Sequence, residues 1–334
     1  MEIEAEIQQL ARQLLGEAQK REPVTLSPAW LQERLLAWAT SDPEFRVKLL
    51  RFVDVLPSLR NGRAVAEHIR QYFRDDTPPV IHFGAELATP AVFRPVVSQV
   101  VRQGVFAMAH RFIAGETPEQ SVGRLRELAE HGVAYTVDLL GEATLSEQEA
   151  DVYFERYAAL IRTLAAQAPG PQTGAWQGVA PVNISVKLSA LTSHFEPAAP
   201  QQVSEAVRSR LQPLLRLARR HGCFINVDME QYQYRDLVQS VFADAVMEPD
   251  LRDYANIGIV VQAYLKSSEA SIRFLRQLTE KRGTPITVRL VKGAYWDEER
   301  IVADEAGWDV PVYEDKAATD ASYERCTDEM LDAW

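Results

Sequence analysis

Ile257-Gly258-Ile259-Val260-Val261 is an unbroken apolar run with no polar alternation. A strand that reads this way is covered on both faces, which is the condition of a parallel sheet flanked by crossover helices. Working outward from it, the full strand is expected over Ile257 to Leu265. Four similar runs are Val133 to Leu140, Val182 to Leu188, Phe224 to Met229 and Ile286 to Val291. Helical periodicity fills the gaps between them. In one such segment Val207, Leu211, Leu214, Leu215 and Ala218 share a face, while Arg208, Arg216, Arg219 and Arg220 fall largely off it. Pro213 interrupts that segment and is expected to kink the helix or leave one carbonyl unpaired.

Strands alternating with helices leave two architectures, a doubly wound open sheet or a (β/α)8 barrel of the TIM type. The residues after the first strand, Gly141-Glu142-Ala143, are not the glycine-rich phosphate fingerprint of the open sheet, so the barrel is preferred. Five βα units do not close eight strands. About three more, on the order of 100 residues, are expected beyond Trp334, which makes the chain incomplete at its C-terminal side. Residues 1–77 read as a helical arm in front of the barrel domain, 78–334. Ile3, Ile7, Leu10 and Leu14 have helical spacing, and Ser27-Pro28 and Asp42-Pro43 each place a capping side chain before a helix-starting proline. Asp75-Asp76-Thr77-Pro78-Pro79 reads as a linker.

Composition narrows the function classes. The chain has 334 residues, 46% of them apolar and 25% charged, with a net charge of −11. An acidic chain without clustered Lys and Arg is a poor partner for nucleic acid. Two cysteines, Cys223 and Cys326, and an acidic start without an apolar h-region point to a reducing cytoplasmic compartment. No run approaches the roughly 20 apolar residues that span a bilayer, which leaves peripheral contact with a membrane open. The six histidines, His68, His82, His110, His131, His194 and His221, have no metal-ligand spacing, so no metal is expected. No G-x-S-x-G elbow supports a serine hydrolase.

Each candidate strand ends in polar residues that its apolar neighbours do not explain: Asp138 with Glu142, Lys187, Asp228 with Glu230, Gln262, and Arg289 with Lys292. Convergent acids and bases at one barrel mouth are what an active site requires. Lys187 reads as a Schiff-base nucleophile, a general base or a carboxylate's partner, with Asp228 on the next strand as that partner. Arg289 stays protonated and is suited to hold an anion or developing negative charge. Lys292-Gly293-Ala294 lets backbone approach a ligand, and Tyr295 and Trp296 offer flat faces to a phosphate-bearing aromatic cofactor, or to an ordinary core.

Six strings carry a resemblance: VDLLGEA (137–143), NISVKLSAL (183–191), INVDMEQY (225–232), VVQAYLK (260–266), TVRLVKGAYWD (287–297) and KAATD (316–320). From about Phe93 to Tyr323 the chain resembles proline dehydrogenase, especially the domain found in bifunctional proline utilization A enzymes. The resemblance implies a (β/α)8 barrel that binds FAD, oxidises L-proline to Δ1-pyrroline-5-carboxylate and passes electrons to a membrane quinone, with peripheral contact at the inner membrane. It implies Lys187 and Asp228 at the proline pocket, Arg289 near the flavin N5, and Gln262 against the flavin ring. Val291, Lys292 and Gly293 resemble the clamp on the cofactor, and Ala294, Trp296, Lys316 and Thr319 its pyrophosphate and adenosine end. Tyr295 is placed at the substrate. Glu142 resembles an acid that closes the pocket by pairing with a substrate-binding arginine. The family's Thr-His-Asn strand and paired-arginine helix, and a downstream aldehyde dehydrogenase module, are expected beyond Trp334. Two other readings rest on the residues alone: a Schiff-base lyase using Lys187, and an inactive fragment that needs its missing half.

Overall fold

The computed structural model describes residues 2–19, 37, 42–59, 62–72, 113–141, 144–168 and 178–333. The chain divides into two compact units, Met1–Ala114 and Gly115–Trp334. The expected helix after Ser27-Pro28 and the expected linker at 75–79 lie outside the described residues.

In the first unit, helix α1 (Glu2–Gln19), α2 (Pro43–Val55) and α3 (Gly62–Tyr72) are described. Asp42 caps α2 as the sequence implies: its carboxylate accepts from the Glu44 N–H at 2.9 Å and the Phe45 N–H at 3.0 Å, and Pro43 fills the first position. The apolar face of α2 packs Phe45 and Phe52 with Leu56, Leu59 and Val65. On α1, Ile7, Leu10 and Leu14 form the expected stripe, and all three are exposed.

The second unit holds one parallel sheet of five strands: β1 (Val137–Asp138), β2 (Asn183–Val186), β3 (Phe224–Val227), β4 (Ile257–Gln262) and β5 (Thr287–Val291). They pair in chain order, β1 to β5, each parallel to the next. A doubly wound sheet reverses its strand order at a switch point, whereas a barrel adds strands in sequence, so this order is that of the (β/α) barrel. Every residue of β4 is buried, as its apolar run requires. β1 is shorter than its apolar run: it pairs with β2 over Val137 and Asp138 alone, and Val133 and Leu140 on either side are exposed.

Helix α4 (Pro118–Glu130) precedes β1, and α5 (Glu147–Gln167), α6 (Pro200–His221), α7 (Arg235–Val246) and α8 (Ser268–Arg282) connect successive strands. After β5 come α9 (Trp296–Ala306) and α10 (Lys316–Leu331). On α6, Val207, Leu211, Leu214, Leu215 and Ala218 are fully buried, while Arg208, Arg216 and Arg219 bridge to Glu248, Asp250 and Asp253. The helix runs through Pro213 without a break. The carbonyl that Pro213 leaves without its usual donor is that of Ser209, which is exposed, so water can satisfy it. No described helix is long and apolar enough to cross a membrane.

Candidate active site

In a parallel sheet, residues paired in register carry their side chains on the same face, and alternate residues repeat that face. Asp138 pairs with Ser185, Ser185 with Asn226, Asn226 with Gly258 and Gly258 with Thr287, which defines one row. Two residues further along each strand, the alternation brings Lys187, Asp228, Val260 and Arg289 to that face, and Val260 pairs with Arg289. A third row holds Gln262 and Val291, also paired. The polar strand ends therefore converge through parity and register together. They line a cavity of about 390 Å³ beyond the carboxyl ends of β2 to β5, closed on one side by Lys292, Gly293, Ala294 and Tyr295.

The charges in this cavity are paired differently from the sequence expectation. Asp228 forms its ion pair with Arg289 and accepts a hydrogen bond from Asn226 Nδ2 at 3.0 Å, while Lys187 Nζ lies 3.0 Å from Asp138 Oδ2 on β1. Arg289 Nη1 donates to Ser185 Oγ at 3.2 Å. The reason lies in the row itself: Val260, between Asp228 and Arg289, offers no polar group, so the long guanidinium crosses it and delivers two donors from one planar fork. Lys187 then serves the first strand. Glu142, also expected at this mouth, lies outside the described residues.

Gln262 is 3% exposed and donates through Nε2 to the Glu230 carbonyl at 3.1 Å, yet its Oε1 is enclosed without a hydrogen-bond partner. A buried acceptor left unpaired is costly unless a ligand donor meets it. Among the described residues, the Gly293 and Ala294 N–H groups also find no acceptor. Gly293 has φ +136°, a conformation that disfavours side chains, and a Cβ there would lie 2.5 Å from the Tyr264 ring. Bare backbone, two free donors and one orphaned acceptor fit a flat heteroaromatic cofactor that carries both donor and acceptor groups.

Beside the clamp, Lys292 and Lys316 share the Asp320 carboxylate. The hydrogen bond to Asp320 holds the Lys292 ammonium above its ordinary range, and Lys292, then Lys316, holds Asp320 below the ordinary carboxylate range. Two ammonium groups on one carboxylate leave net positive charge there, which suits a phosphate. Thr319 is 7% exposed and its hydroxyl donates to the Asp315 carbonyl at 3.3 Å; Trp296 donates through Nε1 to the Tyr313 carbonyl at 2.8 Å, beneath the Arg300 guanidinium. Trp296, Lys316 and Thr319 do not line the cavity. Met229 and Val260 do, and neither is among the residues that the sequence points to. Ser185 and Asn226, the partners of the charged pair, are also absent from that set; their parity, shared with Lys187 and Asp228, is the signal that marks them.

Comparison with known proteins follows the same two units. Residues 121–334 match the family model described as proline dehydrogenase, and residues 4–112 match that of the proline utilization A N-terminal domain. The chain is 34% identical over 238 residues to the bifunctional protein PutA of Salmonella typhimurium, a match covering 71% of this chain and 18% of that protein. It is 28% identical over 243 residues to the proline dehydrogenase of Deinococcus radiodurans, covering 72% of this chain and 66% of that one. Among solved structures, proline utilization A from Bdellovibrio bacteriovorus, inactivated by N-propargylglycine, superposes with a TM-score of 0.78 at 37% identity, covering 90% of this chain and 30% of that chain. The Bradyrhizobium japonicum PutA mutant D779Y superposes with a TM-score of 0.68 at 26% identity, covering 90% of this chain and 33% of that chain. The matched residues thus span less than a fifth of the bifunctional relative's length.

Proposed function

Because the chain belongs to the proline dehydrogenase family, we propose that the cavity at the carboxyl ends of β2 to β5 binds FAD and L-proline and oxidises the proline to Δ1-pyrroline-5-carboxylate. The observation that carries this reading is the convergence of Lys187, Asp228, Gln262 and Arg289 on one cavity with the Val291 to Tyr295 segment.

FAD, when bound, supplies the acceptor for the hydride that leaves the carbon beside the ring nitrogen of proline. The chain's own groups do the rest. Arg289 presents a permanent positive charge to the cavity where negative charge develops, and Asp228 and Ser185 hold it in place so that no reorganisation is needed. Gln262 offers its unpaired Oε1 to a donor on the cofactor ring. Gly293 and Ala294 offer backbone N–H groups, and Lys292 with Lys316 serves the phosphate end. Lys187 and Asp138 form a charged pair at the substrate side, with Tyr295 as a wall. The amine nitrogen must be neutral for the hydride to leave, so the cationic Lys187 beside it favours loss of its proton. An ammonium held on a carboxylate is a poor nucleophile, which counts against the Schiff-base lyase. We take a membrane quinone as the acceptor of the electrons, with peripheral contact at the inner face of the cytoplasmic membrane, and an aldehyde dehydrogenase module as the consumer of the product.

The test is direct. Supplied with FAD and then freed of unbound flavin by gel filtration, the protein should be yellow, and anaerobic L-proline should bleach the bound flavin while D-proline does not. Protein that emerges colourless from that step would falsify the proposal.

A further inference from the structure

One enclosed side chain next to the cavity has no role in the scheme above. Tyr264, two residues beyond Gln262, is 2% exposed and does not line the cavity. Its backbone extends the pairing of β4 with β5 past the ladder: Ala263 N–H donates to the Val291 carbonyl and Tyr264 N–H to the Lys292 carbonyl, each at 2.7 Å. The Tyr264 carbonyl accepts from the Tyr313 N–H at 2.8 Å. Below, the ring joins a cluster with Leu265 and Val312, on which Tyr232 and Trp296 pack. Above, it meets Gly293, where a Cβ would stand 2.5 Å from Cγ, Cδ1 and Cδ2. The glycine thus rests directly on the ring.

The phenol end shows the same enclosure. Its hydroxyl is buried beside the Glu299 carboxyl and the Tyr295 backbone, and burial, then the Glu299 charge, holds the phenol well above its ordinary range. The nearby Glu299 carboxyl, 6% exposed, is also pushed up by burial and accepts from the Tyr232 N–H at 2.5 Å. The tip is tied to Glu299 and Tyr295, whereas the face of the ring is what bears on Gly293. Aromatic rings are rigid, with two side-chain torsions, and a rigid plate in contact with a glycine fixes the height of the backbone above it.

We propose that Tyr264 is the positioning residue of the clamp: its ring sets where Lys292, Gly293 and Ala294 stand against the cofactor, and so sets flavin affinity and reduction potential. The inference rests on the flavin reading above. Tyr264 touches neither substrate nor cofactor in this scheme and acts through Gly293.

Three variants of the full chain separate the possibilities: Tyr264→Phe keeps the plate, Tyr264→Leu removes it, and Val312→Ala weakens the same cluster without touching Gly293. The readouts are the FAD dissociation constant of the apoprotein, from quenching of flavin fluorescence, and the reduction potential of the bound flavin. Tyr264→Phe should bind FAD within about twofold of wild type, and Tyr264→Leu about tenfold more weakly with a shifted potential, the loss expected from displacing one well-placed contact. Val312→Ala should lower the melting temperature and leave both readouts unchanged. If Tyr264→Leu fails to fold, Tyr264→Met takes its place, with the same expected losses. Wild-type affinity and potential in the variant lacking the ring, or equal losses in Val312→Ala, would overturn the inference alone. Failure of the wild type to bind FAD would overturn the flavin reading with it.

Discussion

Arg289 reaches over Val260 to place one nitrogen on Asp228 and another on Ser185, a geometry that a lysine cannot reproduce. Arg289→Lys keeps the charge and loses the fork, so kcat for proline oxidation should fall about 100-fold, the scale of losing one preorganised electrostatic group. Stopped-flow flavin reduction measures it, and a fall of only a fewfold would mean that charge alone suffices. Cys223 gives the opposite case, a group held inert. It is 1% exposed, and burial pushes its thiol up to about 11, so iodoacetamide at pH 8 should leave it unmodified in the native protein and label it after denaturation. At this scale much of the candidate site was legible, because a charged residue in an apolar strand is conspicuous and period-two alternation tells which face it takes. Pairing was not legible. Lys187 and Asp228 are neighbours in their row, yet each finds its carboxylate or guanidinium on another strand, and only the reach of the side chains and the blank at Val260 decides that.

Helix α5 begins with a carboxylate that ties it to the segment after β2. Glu147 accepts from the Ser193 N–H at 2.9 Å and Ser193 Oγ at 2.7 Å, and lies 2.8 Å from Arg210 of α6. Chiefly through the Ser193 N–H, then the Ser193 hydroxyl and Arg210, its pKa is held at about 2 against an ordinary 4.5. A depressed carboxylate stabilises the fold fully above 4.5 and loses that contribution as pH falls towards about 2. Glu147→Gln should therefore lower the urea midpoint at pH 7, and the difference from wild type should shrink between pH 5 and pH 3; a constant difference would sink the assignment. At the far end of α8, Arg282 is 3% exposed and donates to the carbonyls of Val246, Leu251, Tyr254 and Pro285, just before Gly283 turns the chain in a left-handed conformation. Arg282→Met strands these acceptors and should cost on the order of 3 kcal/mol in denaturant unfolding without changing FAD affinity. The sequence located these elements better than it located their ends. Apolar period marked all five strands, but β1 pairs over two residues only, and α6 runs through Pro213, where the carbonyl left without its usual donor belongs to the exposed Ser209 and water can satisfy it.

At the scale of the second unit, a division of labour runs along the strands. Arg282 and its carbonyl cluster lie where β5 is about to begin, whereas the cavity opens where β2 to β5 end, so stability and chemistry occupy opposite ends of one sheet. The order β1 to β5 followed from preferring the barrel, for want of a glycine-rich fingerprint after the first strand; crossover helices alone fit a doubly wound sheet as well. How far such a sheet curves and how wide its mouth stands depend on register, which no single strand encodes. The division has a measurable consequence. A ligand that binds only the folded state stabilises it by about 2.7 kcal/mol at one hundred times its dissociation constant, so FAD should raise the melting temperature in proportion to the logarithm of its concentration. Hydrogen exchange should locate that gain. Peptides containing Tyr264 and Lys292, whose amide and carbonyl join the two loops beyond β4 and β5 at 2.7 Å, should become protected on adding FAD, and those around Leu251 and Arg282 should exchange as before. Protection spread evenly over both ends would mean that FAD tightens the unit as a whole, and that the cavity at the strand ends is not where it sits.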